Sequence, residues 1–219
     1  IGAYGGGGPY HSGSVESTLA TIKGIKIAYP SCTADMKGLM KAAFYDPNPV
    51  VMLEHKGLYW SKVPGTEDAK MIEPDKDYVV PFGKGLLVAE ATETAMNIGA
   101  SMCIITYGMG VHWAKTLVQE WDVSADILDL RTLLPIDYEA IKETVSKTNK
   151  VLILHEDTLF GGIGGELSAY IAEHLFDQLD APVMRAASLD TPVPFSTALE
   201  AEYLPKTRLK EKLEKLLAY

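Results

Sequence analysis

Cysteine is scarce: Cys32 and Cys103 are the only two in 219 residues, and they lie in separate apolar stretches. Their distance apart excludes a short-spaced redox pair or a cysteine-built metal site, and both are expected to be free thiols packed as small hydrophobes. No block of Lys or Arg occurs, and the formal net charge is -9. Duplex nucleic acid and anionic membrane are therefore poor partners, since each selects clustered positive charge. No apolar run approaches the roughly 20 residues of a membrane span, and nothing at Ile1 has the form of a signal peptide, so the cytoplasm is the default expectation. Internal repeats are absent. With 47% hydrophobic and 22% charged residues, the chain reads as a globular protein of one large or two modest domains.

What the chain does have, at its start, is a glycine run. Gly5, Gly6, Gly7 and Gly8 lead into Pro9, Tyr10, His11 and Ser12. Glycine lets a backbone approach a bound group closely, and histidine exchanges protons near neutral pH. A loop of this kind belongs between two elements, and only Ile1 to Tyr4 precede it here, so the chain is expected to begin inside a domain. His11 is the first candidate for chemistry.

Residues Ile25 to Tyr29 read as a strand, with Pro30, Ser31 and Thr33 opening a helix that carries Met36, Leu39, Met40, Ala43 and Phe44 at helical spacing. Asp46, Pro47, Asn48 and Pro49 end it, and Val50 to Glu54 reads as a second, parallel strand. Periodicity dissolves from Trp60 to Asp77, which sets a domain boundary at residue 77. Beyond it, a β-rich entry at Tyr78 to Glu90 precedes strands at Met102 to Thr106, Ala125 to Leu130, Val151 to His155 and Pro182 to Ala187. Helices fill the gaps, marked by Val111, Leu117, Val118 and Trp121, by Ile141 and Val145, by Leu167, Ile171 and Leu175, and by Leu209, Leu213, Leu216 and Leu217. The pattern predicts an α/β domain with a mostly parallel sheet.

Several constellations invite chemistry. Tyr107, Gly108, Met109 and Gly110, followed by Asp129, nearly form a dinucleotide fingerprint, but Trp113 stands where the third glycine belongs. A turn that needs positive φ is the reading preferred. His155 and Glu156 close a strand before Gly161, Gly162, Gly164 and Gly165; Leu159 stands where a zinc protease needs its second histidine. Glu156 is left open between a functional carboxylate and a cap or subunit contact. Asp129, Arg131, Asp137 and the Thr132 to Pro135 link predict a hydrogen-bonded corner, with Asp137 as an N-cap. His55, His112 and His174 are expected at the surface or core edge and receive no role.

In order along the chain, Gly5 to Ser14, Lys37-Gly38-Leu39 within Ile25 to Lys41, Asp46 to Tyr59, Asp129-Leu130-Arg131-Thr132-Leu133, His155-Glu156 and Asp190-Thr191-Pro192-Val193-Pro194 form a distinctive series. Over nearly its whole length the chain resembles the β subunit of the thiamine-diphosphate-dependent decarboxylating component of 2-oxo acid dehydrogenase complexes. The resemblance implies the remainder of a pyrimidine-binding domain over residues 1–77, followed by a transketolase C-terminal-type α/β domain over residues 78–219.

It also implies the reaction: decarboxylation of a 2-oxo acid and transfer of the acyl group to a lipoyl acyltransferase core. His11 matches the histidine that faces the reacting carbon. Most ligands of thiamine diphosphate and magnesium would lie outside this chain, upstream or on an α subunit or α portion, so the chain alone is expected to be inactive. Backbone carbonyls of Ala43, Asp46 and Asn48 match a potassium site; a helix C-terminus accounts for them equally. Glu54-His55-Lys56-Gly57-Leu58-Tyr59 looks more like the branched-chain enzymes than the pyruvate ones. Thr21 departs from the histidine common at its position, and Gly13 and Val15 from bulkier or proline residues. The implied partners are the α part, a second β copy and the acyltransferase core, in cytoplasm or in a eukaryotic mitochondrial matrix. Two other readings stand beside it: a non-catalytic dimerisation and core-docking module, and a pyruvate dehydrogenase, transketolase or deoxyxylulose phosphate synthase relative.

Overall fold

A computed structural model describes all residues from Ile1 to Tyr219. The first segment holds α1 (Gly8–Ser12), α2 (Glu16–Ala20), β1 (Lys26–Ala28), α3 (Thr33–Tyr45) and β2 (Val50–Met52). The rest holds β3 (Leu86–Ala89), α4 (Glu93–Asn97), β4 (Ser101–Thr106), α5 (Met109–Trp121), β5 (Ser124–Asp129), β6 (Thr132–Leu134), α6 (Tyr138–Thr148), β7 (Val151–Thr158), α7 (Ile163–His174), β8 (Met184–Ser188), α8 (Thr197–Tyr203) and α9 (Leu209–Leu217). No helix is long and apolar enough to cross a membrane.

The larger sheet runs β3-β5-β4-β7-β8, parallel except for β3 at its edge, as the alternation of strands and helices predicts. Its central strands are buried on both faces. Along β4, Cys103 and Ile105 enter one core while Met102 and Ile104 enter the other, the two-residue period of a strand placed between helical layers. Burial pushes the Cys103 thiol up to about 12. Cys32 is less enclosed than expected, half-buried at the N-cap of α3, with its thiol pushed up to about 11 by desolvation.

Three readings need correction. The β-rich entry shrinks to β3, because Pro81, Gly83 and Gly85 divert the chain. The amides of Gly83 and Gly85 bond to Thr132 Oγ1 and Asp137 Oδ2, each at 3.0 Å, instead of to a strand. On α3 the predicted apolar stripe is buried only in part: Leu39 faces inward beside Ala34, Asp35 and Gly38, and Met36 and Ala43 are half-buried, but Phe44 is 82% exposed and Met40 is also exposed. Gly38 is required there, since a Cβ would lie 2.6 Å from Val80 Cγ2. Finally, the Thr132 to Pro135 corner contains a strand. β6 pairs antiparallel with β1, giving a smaller sheet β2-β1-β6 whose third strand lies far beyond residue 77. One core accordingly unites Ile27, Tyr29 and Leu53 with Ile105, Leu128 and Ile153.

Candidate active site

The glycine loop is held on both sides. Ile1 donates from its nitrogen to the Glu54 carbonyl and accepts from the Lys56 amide, both at 3.0 Å, so the entry to the loop runs beside the continuation of β2. Gly5, Gly6 and Gly8 have φ of +75°, +71° and +61°, conformations that favour glycine. Gly8 lies flat against Phe195, where a Cβ would come within 2.3 Å of the ring. The chain then turns into α1, with Pro9 in its first turn and His11 in its last.

His11 is exposed and its imidazole has no hydrogen-bond partner in the chain. Around it, Tyr10 approaches Phe195 with ring centroids 6.3 Å apart, and Lys56 Nζ donates to the buried Ser12 Oγ at 3.0 Å. The rim is therefore aromatic and cationic. A cavity of about 140 Å³ at the C-terminal ends of β1 and β2 is lined by Ser31, Cys32, Met36, His55, Leu58 and Tyr59, and does not include His11. His11 stands on open surface.

Beneath the loop lies a buried polar cluster that sequence reasoning largely missed. Glu156, ending the apolar part of β7, accepts from the Ala3 amide at 2.5 Å and pairs with His55 Nε2 at 2.7 Å. His55 Nδ1 accepts from the Gly57 amide at 3.0 Å, so Nε2 carries the hydrogen and donates to the carboxylate. Expected at the surface or core edge, His55 is buried, and Gly2 lies on its ring so closely that a Cβ would be 2.3 Å away. His112 is also buried, with Nε2 at 2.8 Å from the Ser31 carbonyl; His174 is exposed as expected. A lone histidine in an irregular stretch carries no signal of such pairing.

Glu16, in α2, was likewise not singled out. Its Oε1 accepts from Tyr107 OH at 3.0 Å and its Oε2 has no partner. Burial, then the charge of Asp157, pushes its carboxyl up to about 8, so it holds its proton at neutral pH. His155 is enclosed with both ring nitrogens unpartnered, beside a parallel Tyr107 ring, and burial lowers it to about 4. Gly162 and Gly164 at the start of α7 pack directly on it, so this glycine-rich helix entry serves close packing.

The Asp129 corner is structural, as expected. Asp129 accepts from Ser31 Oγ at 2.5 Å and the Arg131 amide at 2.9 Å, and burial raises it to about 6. Arg131 makes a two-pronged ion pair with Asp35, at 2.7 and 2.8 Å. Asp137 caps α6 through the Ala140 amide at 3.1 Å. Gly108 has φ +53° at the start of α5, the positive-φ turn preferred over a dinucleotide site. At the end of α3 the Ala43 carbonyl accepts from the Asp46 amide at 3.3 Å, and the Asp46 carboxylate takes Lys26 Nζ at 2.5 Å. The Lys26 ammonium occupies the Asp46 side chain and not the backbone carbonyls of Ala43, Asp46 and Asn48, of which that of Ala43 closes the end of α3 on the Asp46 amide.

Residues 92–208 match the model of the transketolase C-terminal domain, and residues 1–61 that of the transketolase pyrimidine binding domain. The chain belongs to the transketolase C-terminal domain family. It is 40% identical to the 2-oxoisovalerate dehydrogenase subunit beta of Bacillus subtilis, an alignment covering 92% of this chain and 59% of that protein. To the mitochondrial pyruvate dehydrogenase E1 component subunit beta of Caenorhabditis elegans it is 36% identical, over 93% of this chain and 56% of the relative. The chain thus spans little more than half the length of these relatives. Among solved structures, a split gene transketolase described as an inactive beta4 tetramer aligns with a TM-score of 0.68 and 20% identity, covering 97% of this chain and 64% of that one, which shows a shared fold.

Proposed function

We propose that this chain is the C-terminal part of the β component of a 2-oxo acid dehydrogenase acting on branched-chain 2-oxo acids such as 3-methyl-2-oxobutanoate. The observation that carries this reading is the 40% identity to a 2-oxoisovalerate dehydrogenase subunit beta across 92% of the chain. The substrate class rests on Glu54 to Tyr59, which the structure sets beside the glycine loop through Lys56 and Ser12.

The residues present fit thiamine diphosphate only at the rim of its site. Gly5 faces open space at positive φ, so a bound group can approach its backbone, and His11 stands nearby without a partner. No three His, Cys, Asp or Glu side chains converge to hold a metal ion. The diphosphate and its magnesium are assigned to the α part of the enzyme. When bound, thiamine diphosphate supplies the carbon nucleophile and the electron sink that decarboxylation requires. His11 offers an imidazole N–H to the oxygen that gains charge, or passes a proton to the lipoyl sulfur as the acyl group is transferred. Tyr10 and Phe195 give that rim an apolar wall.

The test uses the full-length β chain assembled with its α partner, thiamine diphosphate and magnesium. 3-Methyl-2-oxobutanoate is expected to give the higher kcat/KM, and His11→Ala to slow acyl transfer to a lipoyl domain by about 10²–10⁴-fold. Preference for pyruvate would remove the substrate assignment; full transfer by the His11→Ala enzyme would remove the role of His11. Exposed Tyr10, Phe44, Tyr45, Trp60 and Phe160 favour a second reading, an assembly surface for the α part, a second β copy or the acyltransferase. Loss of assembly on Phe44→Ser with unchanged kcat per assembled enzyme would support it.

A further inference from the structure

The hydrogen bonds that hold the glycine loop come from a different part of the chain than the loop itself. Glu156 on β7 takes the Ala3 amide at 2.5 Å, and Glu200 on α8 takes the Gly6 amide at 3.0 Å. Both carboxylates are buried. Between the two amides the loop passes Gly5 in open space, and after them it presses Gly8 on Phe195 and emerges as the turn that carries His11. A glycine run has more conformational freedom to lose than any other segment, so without fixed partners it samples many shapes. Two buried acceptors aimed at its amides narrow that set.

We propose that Glu156 and Glu200 are positioning residues, a pair of carboxylates from the C-terminal domain that clamp the backbone of the glycine loop and so fix the place of the turn that carries His11. The two clamps differ in what they need. Glu200 serves one donor, the Gly6 amide, through one oxygen. Glu156 serves two donors, the Ala3 amide and His55 Nε2–H, and His55 cannot turn its other nitrogen to the task because Nδ1 is already taken by the Gly57 amide. A glutamine at position 200 keeps an acceptor for its single donor. At position 156 its NH₂ group must face a donor, whichever way it turns. The C-terminal domain, on this view, contributes to the reaction without touching the reacting atoms.

The inference rests on the role proposed for His11, and its test separates the two. Amide hydrogen exchange across Gly2–Ser12 in the assembled enzyme reads the clamp without any turnover. Glu200→Ala and Glu156→Gln are each expected to speed exchange there at least tenfold while β4 and β7 keep their protection, and Glu200→Gln is expected to restore most of it. In turnover, Glu200→Ala is expected to lower kcat about tenfold or more with KM within twofold. In combination with His11→Ala it is expected to add less than twofold, because a positioner has nothing left to position. Unchanged loop exchange in Glu200→Ala, equal effects of Glu200→Gln and Glu200→Ala, or full additivity with His11→Ala would overturn the proposal. If the wild-type assembly decarboxylates no 2-oxo acid, the functional reading falls and loop exchange alone decides the clamp.

Discussion

Glu16 is a buried carboxyl whose environment makes the stability of the fold depend on pH. Its ordinary value of 4.5 rises to about 8 on folding. Between those limits the unfolded chain ionises while the folded one stays protonated, so stability falls as pH rises, by up to about 1.4 kcal/mol per pH unit. Asp129, raised from 3.8 to about 6, acts in the same direction over its lower window. His155 acts in the opposite one: lowered from 6.5 to about 4, it stays neutral in the fold while the unfolded chain gains a proton, so stability is lost as pH falls through that range. Above pH 6.5 the histidine no longer offsets Glu16. Urea midpoints measured from pH 6.5 to 8 are therefore expected to decline for the wild type and to flatten for Glu16→Gln, which is also the more stable protein at pH 8. Equal slopes would mean that Glu16 is ionised in its buried position.

The turn between β4 and α5 couples local backbone to distant packing. Gly108 has φ +53°, and a Cβ there would lie 2.1 Å from the ring of Tyr29, which follows β1. Gly108→Ala combines left-handed strain with overpacking and is expected to cost about 2–4 kcal/mol in denaturant unfolding. Gly24→Ala, at φ +85° but with nothing within 4 Å, is expected to cost about 1 kcal/mol. A smaller loss at Gly108 than at Gly24 would show that Tyr29 moves aside freely. The same turn shows what periodicity can and cannot reveal. Ile141 and Val145 on α6, and Leu209, Leu213 and Leu216 on α9, were legible because each helix has one buried face and one wet face. On α3 the stripe held at Leu39 and misled at Met40 and Phe44, since the inward face is also chosen by Asp35 reaching Arg131 and by Gly38 yielding to Val80. β6 was illegible because a three-residue strand leaves too short a pattern, and its partner lies more than a hundred residues away. At the site, His11 stood out through its glycines, whereas His55 acquires its meaning only when β7 brings Glu156 to it under the loop, and Glu16 only when Tyr107, after β4, reaches it.

In the folded molecule the two halves share a sheet, a core and an ion pair. Arg131 is nearly buried against Asp35, with side-chain exposures of 12% and 3%, and joins the loop after β5 to α3. Arg131→Ala leaves a buried carboxylate with only Tyr78 OH as side-chain partner and is expected to cost about 3–5 kcal/mol. Because β6 completes the sheet of β1 and β2, that loss is expected to lower a single cooperative melting transition. Two resolved transitions in calorimetry, one responding to Arg131→Ala and one not, would show halves that fold apart.

Met71, Ile72 and Glu73 lie exposed along the connection between those halves. Covalent continuity is thus weakest where attachment depends on it least. A protease nick in this stretch would leave two fragments still fastened by β6 on β1, by Arg131 on Asp35 and by two carboxylates on the glycine loop. Such a cut protein would travel through a sizing column as one particle and come apart only in denaturant.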